Sequence, residues 1–399
     1  MSEFRPFRGI KVADFSQGIA GPYCAQLLAL YGAEVVKIEP LEGDWARPLG
    51  KEQREMSAFF ISVNRGKRSV AIDLKSEASR EIVRRLVDGV DVVVENFRPG
   101  IADRLGFGYD AVRAANPDAI YVSITGYGQF GPYNARPATD TVVQAFSGMA
   151  DFNRGVDGKP HKLRIIPIDT TTGMYAFQNV CAALYDRERG GGGRRFDISL
   201  MQSAAALQAP RILEYHIDEG DPPAEQYMPV GMYQTRDQLI GLSTVRQSQF
   251  EELCNVLECP ELVDDPRFRN NWDRMRNAEA LNALLEERFG TRDAAEWSGV
   301  LEANGIMNAV VQTYREVLDD PQMVETGTII WLDQEGIGRV PVINVPGTDE
   351  SALESRTAPA LGVHTDEVLA QLGLSSADIR ELREHEIILP AGNVTETSV

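Results

Sequence analysis

The stretch Ile165-Ile166-Pro167-Ile168-Asp169-Thr170-Thr171-Thr172-Gly173 joins a β-branched run to a segment of helical periodicity. Met174, Phe177, Cys181 and Leu184 fall three and four apart, and Ala176, Val180 and Ala183 make the other sides nearly apolar, so the pattern predicts a buried helix over 174–187. Asp169 then stands between a predicted strand and that helix. An Asp in this place serves most often as the helix N-cap. The same place, beside free N–H groups, suits a nucleophilic carboxylate. Position alone leaves both open.

Basic and polar clusters follow other β-like runs. Asn64 through Ser69 leads into Val70–Lys75, Asn96-Phe97-Arg98-Pro99-Gly100 follows Val92–Glu95 with Arg104 soon after, and Thr125-Gly126-Tyr127-Gly128 follows Ala119–Ile124. Singly, each is more often a turn or a solvated face. Together, in one βαβ half, they form a candidate cradle for a polyanion. The glycine run 190–193 follows a helix and precedes a strand, the reverse of a phosphate-binding loop, and reads as a helix C-terminus with a turn. There is no Walker lysine motif and no Gly-x-Ser-x-Gly elbow, and the four histidines stand apart without metal-ligand spacing. Neither a hydrolase triad nor a metal centre is expected, and no tightly bound cofactor.

The 399 residues carry 40 Lys+Arg against 59 Asp+Glu, a formal charge of −19. So acidic a chain lacks the positive footprint that nucleic acid or an anionic membrane surface requires, and a phosphorylated ligand must be met by local cations. The four cysteines are scattered and read as reduced core thiols. Neither a signal-peptide core nor an apolar run of membrane-spanning length occurs, so the expected location is cytoplasmic.

The elements that must position these residues alternate. Ile10–Phe15, Glu34–Ile38, Val92–Glu95 and Ala119–Ile124 read as strands; 22–31, 76–87 and a segment from Tyr109 read as helices. Such alternation predicts an α/β fold with a mostly parallel sheet, whose ligands gather at the carboxyl ends of the strands. The character changes near Asp221-Pro222-Pro223. After a short β-like stretch, 239–245, residues from Gln249 to about Ala303 are dense in helix formers, a smaller and mainly helical α+β unit. β-like runs return at 328–332 and 340–345, a helix near 366–372 follows, and Pro390–Val399 reads as a frayed tail.

The ordered segments Ala20-Gly21-Pro22, Val36-Lys37-Ile38-Glu39 with Gly43-Asp44, Asn64 through Lys75, Val94 through Gly100, Gly126 through Pro132, Asp169 with Gly173, and Leu361 through Leu369 span nearly the whole chain. In them the sequence resembles the class III coenzyme A transferases, a family that includes formyl-CoA and carnitine CoA-transferases and the related α-methylacyl-CoA racemases. The resemblance implies a Rossmann-like large domain over 1–224, a small domain over 225–325, a C-terminal segment over 326–399 returning to the large domain, and a homodimer of interlocked chains. It implies Asp169 as catalytic nucleophile, against the N-cap reading. It also implies that coenzyme A, as substrate, is held by Asp73, Leu74 and Lys75, by Asn96, Phe97 and Arg98, by Arg104 and Leu105, and by Gly126 and Tyr127.

The implied reaction moves CoA from an acyl-CoA to a carboxylic acid through an aspartyl anhydride and an aspartyl-CoA thioester, with N–H groups at the helix start after Asp169 as possible oxyanion donors. The racemase branch needs a His before an Asp at the place occupied by Thr139-Asp140, and a Thr hydroxyl cannot act as a base near neutral pH. His161 is the substitute that branch would need. Ile19 and Pro40 lie where some transferases have a Gln and a basic residue.

Overall fold

The structure is a computed structural model and describes residues 4–50, 56–155, 157–220, 225–348 and 356–390. The change of character at 221–223 and the tail from 391 onward lie outside the described residues. The chain divides into two compact units, one built from residues up to Ala209 and from Gln322 onward, the other from Pro210–Pro321. The break falls earlier than the expected 224, at the start of a helix, Ala209–Ile217, that has no buried residue. The expected boundary rests on the change of character near Asp221-Pro222-Pro223.

In the large unit, β1 (Lys11–Asp14), β2 (Glu34–Glu39), β3 (Arg68–Ala71), β4 (Val92–Glu95), β5 (Ile120–Thr125) and β6 (Arg194–Ser199) form one parallel sheet in the order β3-β2-β1-β4-β5-β6. Val12, Val92, Val94 and Ile120 are fully covered, as near-continuous apolar runs should be in a sheet packed on both faces. The intervening helices are α1 (Ala20–Leu30), α2 (Ala58–Asn64), α3 (Glu77–Asp88), α4 (Ile101–Leu105), α5 (Tyr109–Ala115), α6 (Asp140–Phe146), α7 (Met149–Phe152), α8 (Pro167–Glu188) and α9 (Leu200–Leu207). One face of the sheet packs on α1, α6, α8 and α9 through Leu28, Val143, Val180 and Ala204. The other packs on α3, α4 and α5 through Ile82, Leu86, Ala102 and Val112.

The small unit begins with α10 (Ala209–Ile217) and holds an antiparallel sheet of β7 (Val230–Gln234), β8 (Leu239–Ser243) and β9 (Met307–Val310). Around it lie α11 (Gln247–Val256), α12 (Glu261–Asp264), α13 (Asn271–Arg276), α14 (Ala278–Phe289), α15 (Ala294–Ala303) and α16 (Tyr314–Asp319). Phe250, Leu253, Phe268, Leu281, Phe289 and Trp297 make its own core, with Cys254 and Cys259 among them. After α17 (Pro321–Glu325) the chain returns through the hairpin β10 (Ile329–Gln334) and β11 (Gly338–Ile343), then α18 (Thr365–Gln371) and α19 (Ser376–Glu384). Leu369 and Ile379 complete the face that carries α3 and α5.

Candidate functional site

The strand order reverses between β1 and β4, and in a doubly wound sheet the crevice beyond the carboxyl ends at that reversal is where ligands sit. Asn96, just after β4, closes it from one side: its Oδ1 accepts from the Gln17 N–H at 2.9 Å and its Nδ2 donates to the Gln17 carbonyl at 2.7 Å. Because α8 precedes β6 and runs antiparallel to it, the start of α8 lies at the same carboxyl edge, beside the start of α1. The two helices approach closely there: a Cβ on Gly173 would lie 2.6 Å from the Ala20 carbonyl oxygen and 3.0 Å from the Tyr23 ring.

Asp169 lies in the first turn of α8, which begins at Pro167. This corrects the expected strand over 165–168, and the N-cap place, the alternative reading of Asp169 from its position, is held by Ile166 with no side-chain cap of its own. Pro pre-sets the backbone angle of a helix start, and the β-branched run before it had masked that signal. The cap comes from another helix. Asp140, buried at the start of α6, accepts the Ile168 N–H at 2.8 Å and the Asp169 N–H at 3.1 Å through Oδ2, while its Oδ1 accepts Gln144 Nε2 at 2.6 Å. Gln144 in turn accepts the Leu163 N–H at 2.8 Å. The Thr170 and Thr172 hydroxyls donate back to the Ile166 and Ile168 carbonyls.

The backbone of the turn is therefore locked: Asp140 takes the Ile168 and Asp169 N–H groups, and the Thr170 N–H, the first after Asp169, already donates to the Ile166 carbonyl at 3.2 Å. The Asp169 carboxylate itself has no cation within ion-pair distance among the described residues. Burial, reinforced by the negative charge of Asp140, pushes its pKa up to about 7. A partly buried, unpaired carboxylate of raised basicity is a competent nucleophile when ionised. The facing start of α1 has no side-chain cap, so the N–H groups of its first turn carry the partial positive charge that a developing oxyanion needs.

The expected helix over 174–187 is buried on one side only. Gly173, Ala176, Val180 and Leu184 are covered, whereas Met174, Tyr175 and Tyr185 are exposed on the single chain. Met174 and Tyr185 turn outward because α1 and the sheet cover only one side of α8.

The residues expected to hold coenzyme A line the carboxyl edge on both faces. Leu74, Phe97 and Leu105 are half-buried against the cluster under α3 and α5, with Phe97 edge-on to Phe107 at 5.9 Å. Asp73 closes the turn into α3 by accepting the Lys75 N–H at 3.0 Å. Lys75, Arg98 and Arg104 are exposed, and none has a carboxylate partner among the described residues. Gly126 and Tyr127 lie on the α6 side: a Cβ on Gly126 would sit 2.3 Å from that of Ala138, and Tyr127 is buried edge-on to Phe146 at 5.1 Å. Asn96, at the β1–β4 reversal, lies between the two groups.

Beside this edge, residues of β1, β2 and the segment before β3 form a buried ionic network, and Asn64 and Lys67, expected in the polyanion cradle, are turned inward to serve it. Lys67 Nζ donates to Asp14 Oδ2 and to Asn64 Oδ1, both at 2.7 Å, and to the Pro22 carbonyl at 2.8 Å. Lys37 Nζ pairs with Asp44 at 2.8 Å, and Asp44 accepts the Gly18 N–H at 2.9 Å. Arg47 grips both oxygens of Glu39 at 2.7 Å, and Ser69 donates to Glu39 at 2.6 Å. The signal was present: charged residues inside strands otherwise made of Val and Ile must be paired. The network fixes the β1–α1 loop, where Ile19 is buried, and the Pro40 carbonyl closes a turn with the Gly43 N–H at 2.9 Å. Thr139 is the N-cap residue of α6, and His161, an exposed side chain, meets Asp157 at 3.1 Å. Among the described residues no group of three or more His, Cys, Asp or Glu is arranged to hold a metal ion, and no helix is long and apolar enough to cross a membrane.

Comparison with known proteins bears on this geometry. Residues 7–365 match the family described as CoA-transferase family III. The chain is 36% identical over 333 residues to an acetyl-CoA:oxalate CoA-transferase of Acetobacter aceti, covering 82% of this chain and 85% of that one. It is 31% identical over 390 residues to the succinyl-CoA:glutarate CoA-transferase of Homo sapiens, covering 93% and 87%. The crystal structure of a CAIB/BAIF family protein from Brucella suis superimposes with a TM-score of 0.82 at 33% identity, covering 93% of this chain and all of that one.

Proposed function

The chain belongs to CoA-transferase family III and is an enzyme that moves CoA from an acyl-CoA to an acid, and from that premise we propose that the transfer runs through covalent intermediates on Asp169. The observation that carries the proposal is the turn itself: a locked helix start presents one carboxylate with no counter-ion among the described residues, at the edge where the ligand crevice opens.

In the proposed sequence an Asp169 oxygen attacks the thioester carbonyl, the carbon–sulfur bond breaks, and CoA leaves as thiolate, giving a mixed anhydride. The thiolate attacks the aspartyl carbonyl and releases the donor as its carboxylate. The acceptor carboxylate then displaces the thiolate from the aspartyl thioester, and the thiolate attacks the acceptor acyl carbon to release the new acyl-CoA and free Asp169. Charge balances at each step without a net proton. The N–H groups at the start of α1 stabilise the tetrahedral oxyanions. Lys75, Arg98 and Arg104 meet the phosphates, Asp73, Leu74, Asn96, Phe97 and Leu105 bind along the edge, and Gly126 and Tyr127 border the thioester end.

The racemase reading loses its base, since Thr139 cannot titrate near neutral pH and Asp140 is engaged in capping α8. The Rossmann-like large domain, the small domain, the homodimer and the cytoplasm as working compartment belong to the same proposal. The dimer is supported by α10, whose Ile212, Leu213, Tyr215 and Ile217 are all exposed on the single chain.

The test is incubation with donor acyl-CoA alone, followed by mass spectrometry of the peptide containing Asp169. An acyl or CoA adduct on that residue, trapped by hydroxylamine, is expected. Transfer without any adduct, or enzyme-dependent deuterium uptake at the carbon beside the thioester, would overturn the reading.

A further inference from the structure

A cavity of about 480 Å³ lies in the large unit between α2 and the β10–β11 hairpin. Its wall is mostly apolar, with Met56, Ile61, Ile337, Val340 and Val342 prominent. Among the described residues only two charged side chains line it, Arg47 and Arg65. Arg47 is neutralised by its two bonds to Glu39, and its guanidinium lies 3.8 Å over the Phe60 ring. Arg65 is different. It is 4% exposed, donates from Nη2 to the Ile343 carbonyl at 2.9 Å, and has no carboxylate partner among the described residues. Ile343 is itself part of the cavity wall, so the uncompensated charge sits at the cavity. The two lining serines are already engaged, Ser57 with the Ala46 carbonyl and Ser62 with that of Phe59.

A buried guanidinium without a counter-ion is unfavourable unless something supplies the missing charge. Burial accordingly draws the Arg65 pKa down to about 10, against a smaller opposing influence from Tyr23. One unpaired cation calls for one negative charge, and a planar guanidinium fork matches a carboxylate. The apolar wall calls for a hydrocarbon body, and the volume falls within the roughly 300–1,000 Å³ of small-molecule sites. A polyphosphate would need further donors, which the engaged Arg47 and serines do not offer.

We propose that this cavity is a binding site for an organic monocarboxylate with an apolar body, its carboxylate held by Arg65 and its chain lying against Met56, Ile61 and Val342. The site is independent of the reading of Asp169 and stands or falls separately.

The probe is octanoate, titrated calorimetrically into the full chain without acyl-CoA, so that no turnover occurs. One saturable site is expected, with octanol binding at least tenfold more weakly. Asp169→Ala should bind octanoate as the wild type does. Arg65→Met should weaken binding at least tenfold. Ala58→Trp, at an exposed position on the cavity wall, leaves Arg65 intact and should also abolish binding, which keeps the test decisive should Arg65→Met fold poorly. Absence of binding to the wild type, binding unchanged in Ala58→Trp or in folded Arg65→Met, or binding lost in Asp169→Ala would each overturn the proposal.

Discussion

Glu39 and Asp169 are carboxylates at the same edge of one sheet, and their surroundings push them in opposite directions. Burial would raise the pKa of Glu39, but Arg47, Lys37 and Ser69 overcome that and hold it below the ordinary value. Burial raises Asp169 too, and its one charged neighbour, Asp140, raises it further. What separates them is pairing. A carboxylate gripped by a bidentate arginine has its lone pairs engaged and acts as scaffold, whereas one left alone keeps a basic lone pair available for chemistry. Arg65 repeats the lesson with the opposite sign: the unpaired charge, not the network, points to a ligand.

The comparison breaks most visibly at Asp169. Asp169→Asn should lower kcat by about 10⁴-fold or more, measured as CoA exchange between acids, because a covalent step is lost. The variant should also fold more stably at neutral pH. Asp169 holds its proton more tightly folded, at about 7, than unfolded, at 3.8, so its contribution to stability is present below the lower value and lost as pH rises through the higher one. Urea titrations at pH 8 should therefore favour Asp169→Asn by roughly 1–4 kcal/mol. A variant less stable than the wild type at that pH would contradict the unpaired state.

Glu39→Gln should do the reverse, destabilising the fold by about 3–5 kcal/mol at neutral pH, since Arg47 and Lys37 lose buried partners. Glu39 has a folded pKa below 4.5, so its stabilisation is present above that value and lost as pH falls through the folded one. The gap between wild type and variant should accordingly narrow in acid. An equal gap at all pH values would mean that Glu39 acts by shape rather than charge.

Asp140→Asn sharpens the comparison by removing the like charge while keeping a side chain that can cap. The acid limb of kcat/KM should move down by roughly 0.5–1 pH unit, because Asp169 then ionises more readily. An unmoved limb would show that burial alone sets Asp169. The smallest effects belong to the exposed cations. Lys75→Ala or Arg104→Ala should raise the acyl-CoA KM about three- to tenfold with kcat unchanged, as expected of groups that bind substrate and transition state alike. A fall in kcat at constant KM would place them in another role.

Much of the frame was legible from local pattern. Val92–Glu95 is observed over the expected residues, and Glu34–Ile38 differs by one residue at its end, because a short apolar β-branched run in a parallel sheet is its own signal. The glycine run is the expected turn after a helix, with Gly190 at φ 96°. The start of α8 was misread because Ile165, Ile166 and Ile168 carry β preference, and the cap that fixes the helix start comes from Asp140 on another helix.

By itself the sequence determined the alternating α/β order, the acidic charge that leaves local cations to meet phosphates, and the marker residues that identify the family. Those are properties of composition and of neighbours along the chain. Tertiary structure alone decided which charges are paired. Asp14 finds Lys67 53 residues away, and Asp140 caps a helix that starts 27 residues after it. Pairing depends on distance in space and on the exclusion of water, neither of which is written in local order. It is that three-dimensional accounting of charge that leaves Asp169 and Arg65 without an oppositely charged partner among the described residues.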